Sequence, residues 1–242
     1  PWSVVALWNT CVAAVSGMGA DMTYLSELLT GLAVTLELTL LSLLLGGLLA
    51  LLLTWILDRR VPVARQLVEL FLVLFTGTPL LVQIFLIYYG PAQFDWLKQS
   101  VLWDLLKEPW FCAVLALGFN TAAYSTRLFK GALDAIPSGE VLACRALGMS
   151  NWQTLSIKLR HAMRRVVPGY SNEVILVLKG SSLASTITIM DVMGIAQRLN
   201  AQTYDTLGVF GVAGAIYLTM NGTLTLLFRW VEKRALAFAP HE

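Results

Sequence analysis

The chain has 242 residues, of which 57% are hydrophobic and 13% charged, with a formal net charge of +2 and a mean hydropathy of +0.70. Apolar residues fall in blocks near the ~20 residues that a hydrocarbon core demands of a spanning helix. That excludes an ordinary water-soluble domain, and a charge so near zero gives no sign of nucleic-acid binding. Cys11, Cys112 and Cys144 are scattered, which argues against a disulfide framework and offers no metal-ligand spacing.

In chain order, residues 1–21 are mildly apolar but interrupted by Ser3, Asn9, Thr10, Ser16, Gly17 and Gly19, and they lack the basic start of a signal peptide. Met22 is a plausible natural start, so 1–21 reads as an extension, as a helix lying on the surface, or as a sixth span. Five apolar runs follow, at 31–57, 67–89, 110–129, 168–190 and 206–228, and predict an all-α integral membrane domain over 22–242. The second is interrupted by Gly77, Thr78 and Pro79, where a proline kinks the helix and frees a carbonyl; the break is expected to serve gating or close packing at Gly77. The third carries Asn120 and Tyr124 four residues apart on one face, either lining a path or bonding a neighbouring helix. The fourth holds Asn172, Glu173 and the stretch Lys179, Gly180, Ser181, Ser182. Polar or irregular backbone at membrane depth is tolerated only where it faces protein or a water-filled cavity, which marks this run as a pathway element.

Orientation follows from Lys and Arg. With the N-terminus outside, the inner segments hold Arg59, Arg60, Arg65, Arg127, Lys130, Arg145, Lys158, Arg160, Arg164, Arg165, Arg229, Lys233 and Arg234, thirteen of the 17 basic residues. The outer loops hold Lys98, Lys107 and Arg198. Five spans with the N-terminus out and the C-terminus in satisfy that bias.

A polar basic segment at about 132–167 then lies in the cytoplasm. A solvated loop held by anionic headgroups is the simplest reading. Its details are more specific. Pro137, Ser138 and Gly139 break the preceding helix. Val141, Leu142, Ala146, Leu147 and Met149 make a short amphipathic helix that Gly148 ends. Ser150 stands at an N-cap position before Trp152, Leu155, Ile157 and Leu159. Two short helices joined at a glycine, with apolar side chains outward, suit a groove in another protein.

Ionisable residues inside a membrane are costly and normally have a partner. Glu173 is therefore expected to face the path, where a cationic substrate side chain would pair with it; the alternative partner is Arg164 or Arg165. Lys179, six residues on, lies about 240° around a helix and cannot share that face. A helix break at 179–182 would free backbone groups for the ends of a zwitterion, or form a plain turn. Glu37, Glu69 and Asp191 read as structural. His161 and His241 carry no ligand constellation, and no catalytic triad or phosphate-binding loop is legible, so the chain is not expected to be an enzyme.

From Pro137 to Gly148 the sequence PSGEVLACRALG resembles the "EAA" coupling loop of ATP-binding-cassette importer permeases of the polar amino-acid branch. FTGTPLLVQIFLIYYGP (75–91), NTAAYSTRLFKGAL (120–133), YSNEVILVLKGSSLA (170–184), TITIMDVMG (186–194) and the C-terminal VEKRALAF are similar to the same branch, nearest to its arginine and histidine/lysine/ornithine transporters. There are departures. The Glu-Ala-Ala triplet falls on Leu142, Ala143 and Cys144, the closing proline is Arg160, and Thr76 stands where many relatives have arginine.

The resemblance implies a type I importer permease in a bacterial inner membrane, crossing it several times. It implies a second permease, with a heterodimer expected, two copies of an ABC ATPase that binds the ATP, and a periplasmic amino-acid-binding protein; no cofactor is expected in this chain. The ATPase would be met by Gly139, Glu140, Leu142, Ala143, Ala146, Leu147, Gly148 and Trp152. The substrate path would involve Glu173, Asn172, Lys179, Ser181, Asn120, Tyr124, Thr78, Gln83 and Asp191, the family pattern at MDVMG bringing in the last, with gating at Gly77, Pro79 and Pro168. Arginine or another basic amino acid is the expected substrate, with glutamine or another polar amino acid open. A self-contained ion-coupled transporter or channel is the competing class. Internal repeats would favour it, and none is visible.

Overall fold

A computed structural model describes residues 22–59 and 62–236; the segment 1–21, for which an extension was expected, lies outside them. The described chain is helical: α1 (Met22–Thr30), α2 (Leu32–Arg59), α3 (Pro62–Gly77), α4 (Leu80–Tyr89), the short α5 (Asp95–Lys98) and α6 (Trp103–Leu106), α7 (Pro109–Asp134), α8 (Ser138–Ala146), α9 (Asn151–Ser181), α10 (Val192–Thr203) and α11 (Thr206–Leu236).

Helix α7 is the centre of the bundle. Proline opens it at a position where no N–H is needed, and Cys112, Ala113, Ala116, Leu117, Thr121, Ala122, Ala123, Ser125 and Thr126 are buried along it. Small residues let backbones approach where lipid offers no hydrophobic drive for helix association. At the crossing with α2 a Cβ on Gly46 would sit 2.7 Å from Thr121 Cβ, and one on Gly118 would sit 2.7 Å from Leu45 Cδ2. Around this crossing Leu38, Ile84, Ala113, Ala116, Leu117, Ala184 and Ile187 form one core. Leu28, Val192, Ile195, Leu199, Val209, Val212 and Ile216 form a second, joining α1, α10 and α11.

The five expected spans fare differently. Two stretches are long and apolar enough to cross a bilayer alone, Tyr24–Asp58 and Thr206–Arg234, and two more qualify only if bent pairs count as one span. The run at 67–89 is not one straight helix: the chain turns by 110° between Pro62–Gly77 and Leu80–Gln93. Helix α7 has the expected place but is not among the span-capable stretches, because its buried face of small and hydroxyl residues looks at protein rather than lipid.

The fourth run departs most. Helix α9 is continuous from Asn151 to Ser181, with Pro168 inside it, so the predicted start at Pro168 does not occur; the α-helix does end within the predicted stretch 179–182, at Ser181, but by tightening rather than by opening. One missing N–H is outweighed by packing on both sides of the proline: Ala162 and Val166 before it are buried against α7, and after it Gly169 lies against Leu128 and Tyr170 stacks on Phe129 with ring centroids 6.0 Å apart. The helix then tightens into a 3-10 segment over Ser182–Ile187, and the chain turns at Thr188, whose φ of 71° is left-handed. The bend to α10 is 48°.

The polar segment has the predicted short helix, glycine turn and N-cap, but the helix after Ser150 is not short: it is the beginning of α9. The Met149 N–H donates to the Cys144 carbonyl and the Gly148 N–H to that of Arg145 (both 3.0 Å), a Schellman closure in which Gly148 takes φ +72° at no side-chain cost. Ser150 caps α9 reciprocally with Gln153.

Candidate functional site

The site begins with a defect in a helix. Pro79 has no N–H to donate to the carbonyl four residues back, which is Phe75. Two side-chain amides replace it. Gln83 Nε2 lies 2.8 Å from the Phe75 carbonyl, 2.9 Å from the Thr78 carbonyl and 2.9 Å from Thr78 Oγ1. From α7, Asn120 Nδ2 donates to the same Phe75 carbonyl (3.2 Å) and to Gln83 Oε1 (3.0 Å). Below them the Tyr124 hydroxyl makes a long contact, 3.5 Å, with the Thr76 carbonyl. The bend is thus held by polar side chains, and Gln83 is buried with its amide engaged.

Beside Asn120 is a cavity of about 220 Å³, lined by Leu80, Leu117, Asn120, Thr121, Tyr124, Glu173, Leu176 and Val177. Helix α9 brings in Glu173, which is 8% exposed and has no Lys or Arg paired with it among the described residues. The expected alternative, an ion pair with Arg164 or Arg165, does not form. The Thr121 hydroxyl is buried with no hydrogen-bond partner among the described residues. A carboxylate, an amide, a phenol and an unbonded hydroxyl around an otherwise apolar chamber suit a small polar molecule bearing a cation.

Of the residues expected on the path, Glu173, Asn120 and Tyr124 are brought together, with Thr78 and Gln83 behind Asn120 at the bend. The others are elsewhere. Asn172 and Lys179 are exposed on another face of α9 and do not line the cavity. Ser181 is fully buried and donates to the Leu178 carbonyl at 2.8 Å, so its hydroxyl is spent within its own helix. Asp191 is 0% exposed. Its Oδ1 caps α10 by accepting from the Gly194 N–H (2.8 Å), and its Oδ2 accepts from Tyr217 OH (3.1 Å). Thr35 Oγ1 completes this clasp by accepting the Val192 N–H at 3.2 Å. Among the described residues nothing lies within 4 Å of a Cβ position at Gly77, which speaks against close packing there within the described chain and leaves the bend itself. Sequence reasoning missed Thr121 and Leu117, although helical spacing from Asn120 and Tyr124 places both on the same side of α7. It also missed Thr35 and Tyr217, which no local pattern connects to Asp191.

A second surface lies on the segment joining α7 to α9. Leu142, Leu147 and Trp152 are 62%, 80% and 77% exposed. Gly139, Ala143, Ala146 and Gly148 are exposed with them, while Glu140 is half-buried, with its carboxylate 3.5 Å from His161 Nδ1. Large apolar side chains are here presented by a capped, glycine-closed helical turn, an ordered apolar surface rather than a loose loop.

Comparison with known proteins agrees with this architecture. Residues 42–236 match the family described as the inner membrane component of binding-protein-dependent transport systems. The chain belongs to that family. It is 53% identical over 219 residues to the arginine ABC transporter permease protein ArtM of Haemophilus influenzae, covering 90% of this chain and 96% of the relative. To the protein of the same name from Escherichia coli K12 it is 56% identical over 216 residues, covering 89% and 97%. Among solved structures, that of an amino acid ABC transporter with histidines superimposes with a TM-score of 0.78 at 27% identity, over 88% of this chain and 95% of the other. The type I permease fold and a role in ABC-type transport follow from family membership.

Proposed function

We propose that this chain is the permease subunit of an ATP-driven importer for arginine and related basic amino acids, and that the cavity between α4, α7 and α9 is its substrate site. The observation that carries the substrate class is Glu173, a carboxylate held in a chamber with no Lys or Arg paired with it among the described residues. An isolated buried carboxylate costs several kcal/mol, and a guanidinium or ammonium arriving in the chamber offsets that cost. The relatives named as arginine permeases support the same class. Asn120 and Tyr124 complete the wall, and the bend at Thr78 and Pro79 is the element that opens and closes it.

Coupling is assigned to the exposed face of Leu142, Leu147 and Trp152 with Gly148, which fits a groove in a cytoplasmic ATPase subunit. Closure of the ATPase pair on ATP would push on α8, and the continuous helix α9 would carry that push to Glu173. The chain itself hydrolyses nothing and takes no cofactor. A second permease, an ATPase pair and a periplasmic amino-acid-binding protein complete the assembly. Residues 22–242 act as one permease domain in the bacterial inner membrane, with the N-terminus out and the C-terminus in.

The test is uptake of radiolabelled arginine by proteoliposomes holding the four components, with histidine and glutamine as competitors. Uptake should need ATP and be blocked best by basic amino acids. Glu173→Gln should lower it about tenfold or more at unchanged assembly, the loss of a charge-assisted contact. Uptake without ATP or ATPase would promote the self-contained transporter, and unchanged uptake by Glu173→Gln would move the substrate elsewhere.

A further inference from the structure

The bend and the cavity share one side chain. Asn120 lines the chamber, and its amide nitrogen is hydrogen-bonded to the Phe75 carbonyl and Gln83 Oε1, neither of which belongs to a residue lining it. Which end of an amide is nitrogen is decided by its partners, and here they leave no freedom. The Phe75 and Thr78 carbonyls accept only, so the Gln83 atom 2.8 and 2.9 Å from them must be its nitrogen. Its other end is then an oxygen, which accepts only, and the Asn120 atom 3.0 Å from it must be nitrogen. That nitrogen is also 3.2 Å from Phe75 O, so both constraints agree. Asn120 Oδ1 is the remaining end, and no described residue donates to it.

We infer that Gln83 is a specificity-determining positioning residue: by fixing the Asn120 amide, it turns the Asn120 oxygen toward the chamber and makes the wall beside Glu173 an acceptor surface. The inference rests on the cavity being the substrate site. Its chemical consequence is that ligands are read as N–H donors at two points, the Glu173 carboxylate and the Asn120 oxygen. A guanidinium satisfies both. A ligand of the same shape carrying an oxygen in place of one nitrogen would set that oxygen against an acceptor that cannot turn around. Were the Asn120 amide free to rotate, it would donate to such a ligand and the discrimination would be lost. Gln83 itself does not line the cavity, so it acts only through Asn120. The carbonyl that anchors the network is one that Pro79 leaves without its helical donor, so the same proline that bends the helix sets the polarity of the site.

The experiment measures equilibrium binding of tritiated arginine, with arginine and citrulline as competitors, to the complete permease–ATPase complex in nanodiscs without the binding protein, which would otherwise impose its own selectivity. In citrulline a urea oxygen replaces one guanidinium nitrogen. Gln83→Met keeps the volume and removes the anchor; the preference for arginine over citrulline should shrink about tenfold, the scale of one hydrogen bond to a charged group. Asn120→Ala removes the acceptor directly while leaving Gln83 on its two carbonyls, and should shrink the preference as much. Unchanged preference in an assembled Gln83→Met complex overturns the inference. If that variant fails to assemble, Asn120→Ala decides, and retained preference there overturns it equally. Glu173→Gln run in parallel separates the two levels. If it leaves arginine binding intact, the substrate site is misplaced; if it weakens binding while Gln83→Met changes nothing, the site stands and the positioning role falls. A merely structural Gln83 would lower the amount of folded complex without moving the ratio.

Discussion

Asp191→Ala separates a structural carboxylate from one on the substrate path. In the structure Asp191 is fully buried and accepts two hydrogen bonds, from the Gly194 N–H at 2.8 Å and from Tyr217 OH at 3.1 Å. Truncation removes the N-cap of α10, a loss of ~1 kcal/mol. It also orphans the Tyr217 hydroxyl, at about 1–3 kcal/mol for a buried polar group left unsatisfied. The sum, about 2–4 kcal/mol, corresponds for a chain of this size to a drop in melting temperature of roughly 4–16 °C. Asp191→Asn is the control. Its carbonyl oxygen can still cap Gly194, and its amide can donate to the tyrosine oxygen, so about 1 kcal/mol or less should be lost. Thermal unfolding of the nanodisc complex, followed by the fluorescence of a dye bound to exposed thiols, reads both. Arginine uptake by the Asn variant, measured beside it, should stay near that of the unmodified chain. A normal melting temperature for Asp191→Ala would refute the clasp, and loss of uptake in a stable Asp191→Asn would return this residue to the path.

At Gly148, φ +72° with open space around a Cβ position means that any penalty is backbone strain alone, about 1–2 kcal/mol and more for a β-branched residue. Gly148→Val should lower substrate transported per ATP hydrolysed while Gly148→Asn, which tolerates this conformation, should not; equal coupling ratios in both would count against the docking turn. Gly46→Leu must push Thr121 and the Gly118 carbonyl, each less than 3 Å from the new Cβ, and should cost about 1–3 kcal/mol as an overpacked crossing. Gly77→Ala meets nothing and should melt with the unmodified chain, so a large loss there would show that this glycine packs against something after all.

What the sequence by itself determined is what depends on local chemistry and on solvent. Apolar block length reports the membrane, and the Pro79, Gly148 and Ser150 signals act within one turn of their own backbone, so the bend, the helix end at Gly148 and the N-cap at Ser150 were all legible. Tertiary structure decided how long each helix runs and which polar side chains meet. Pro168 looked like a boundary, yet packing of Gly169 on Leu128 and Tyr170 on Phe129 carries α9 through it. Ser181, Asn172 and Lys179 shared a polar stretch with Glu173, but the unbroken helix gives each its own direction, and only Glu173 points into the chamber. Asp191 read as structural from its own position, and only the family pattern at MDVMG set it on the path; its partners, Gly194 and Tyr217, are a cap and a helix that no spacing rule links. The orientation of the Asn120 amide lay furthest from the sequence. It is set by carbonyls on α3 and at the bend and by Gln83 on α4, because hydrogen-bond polarity is a property of the assembled network and of no residue alone.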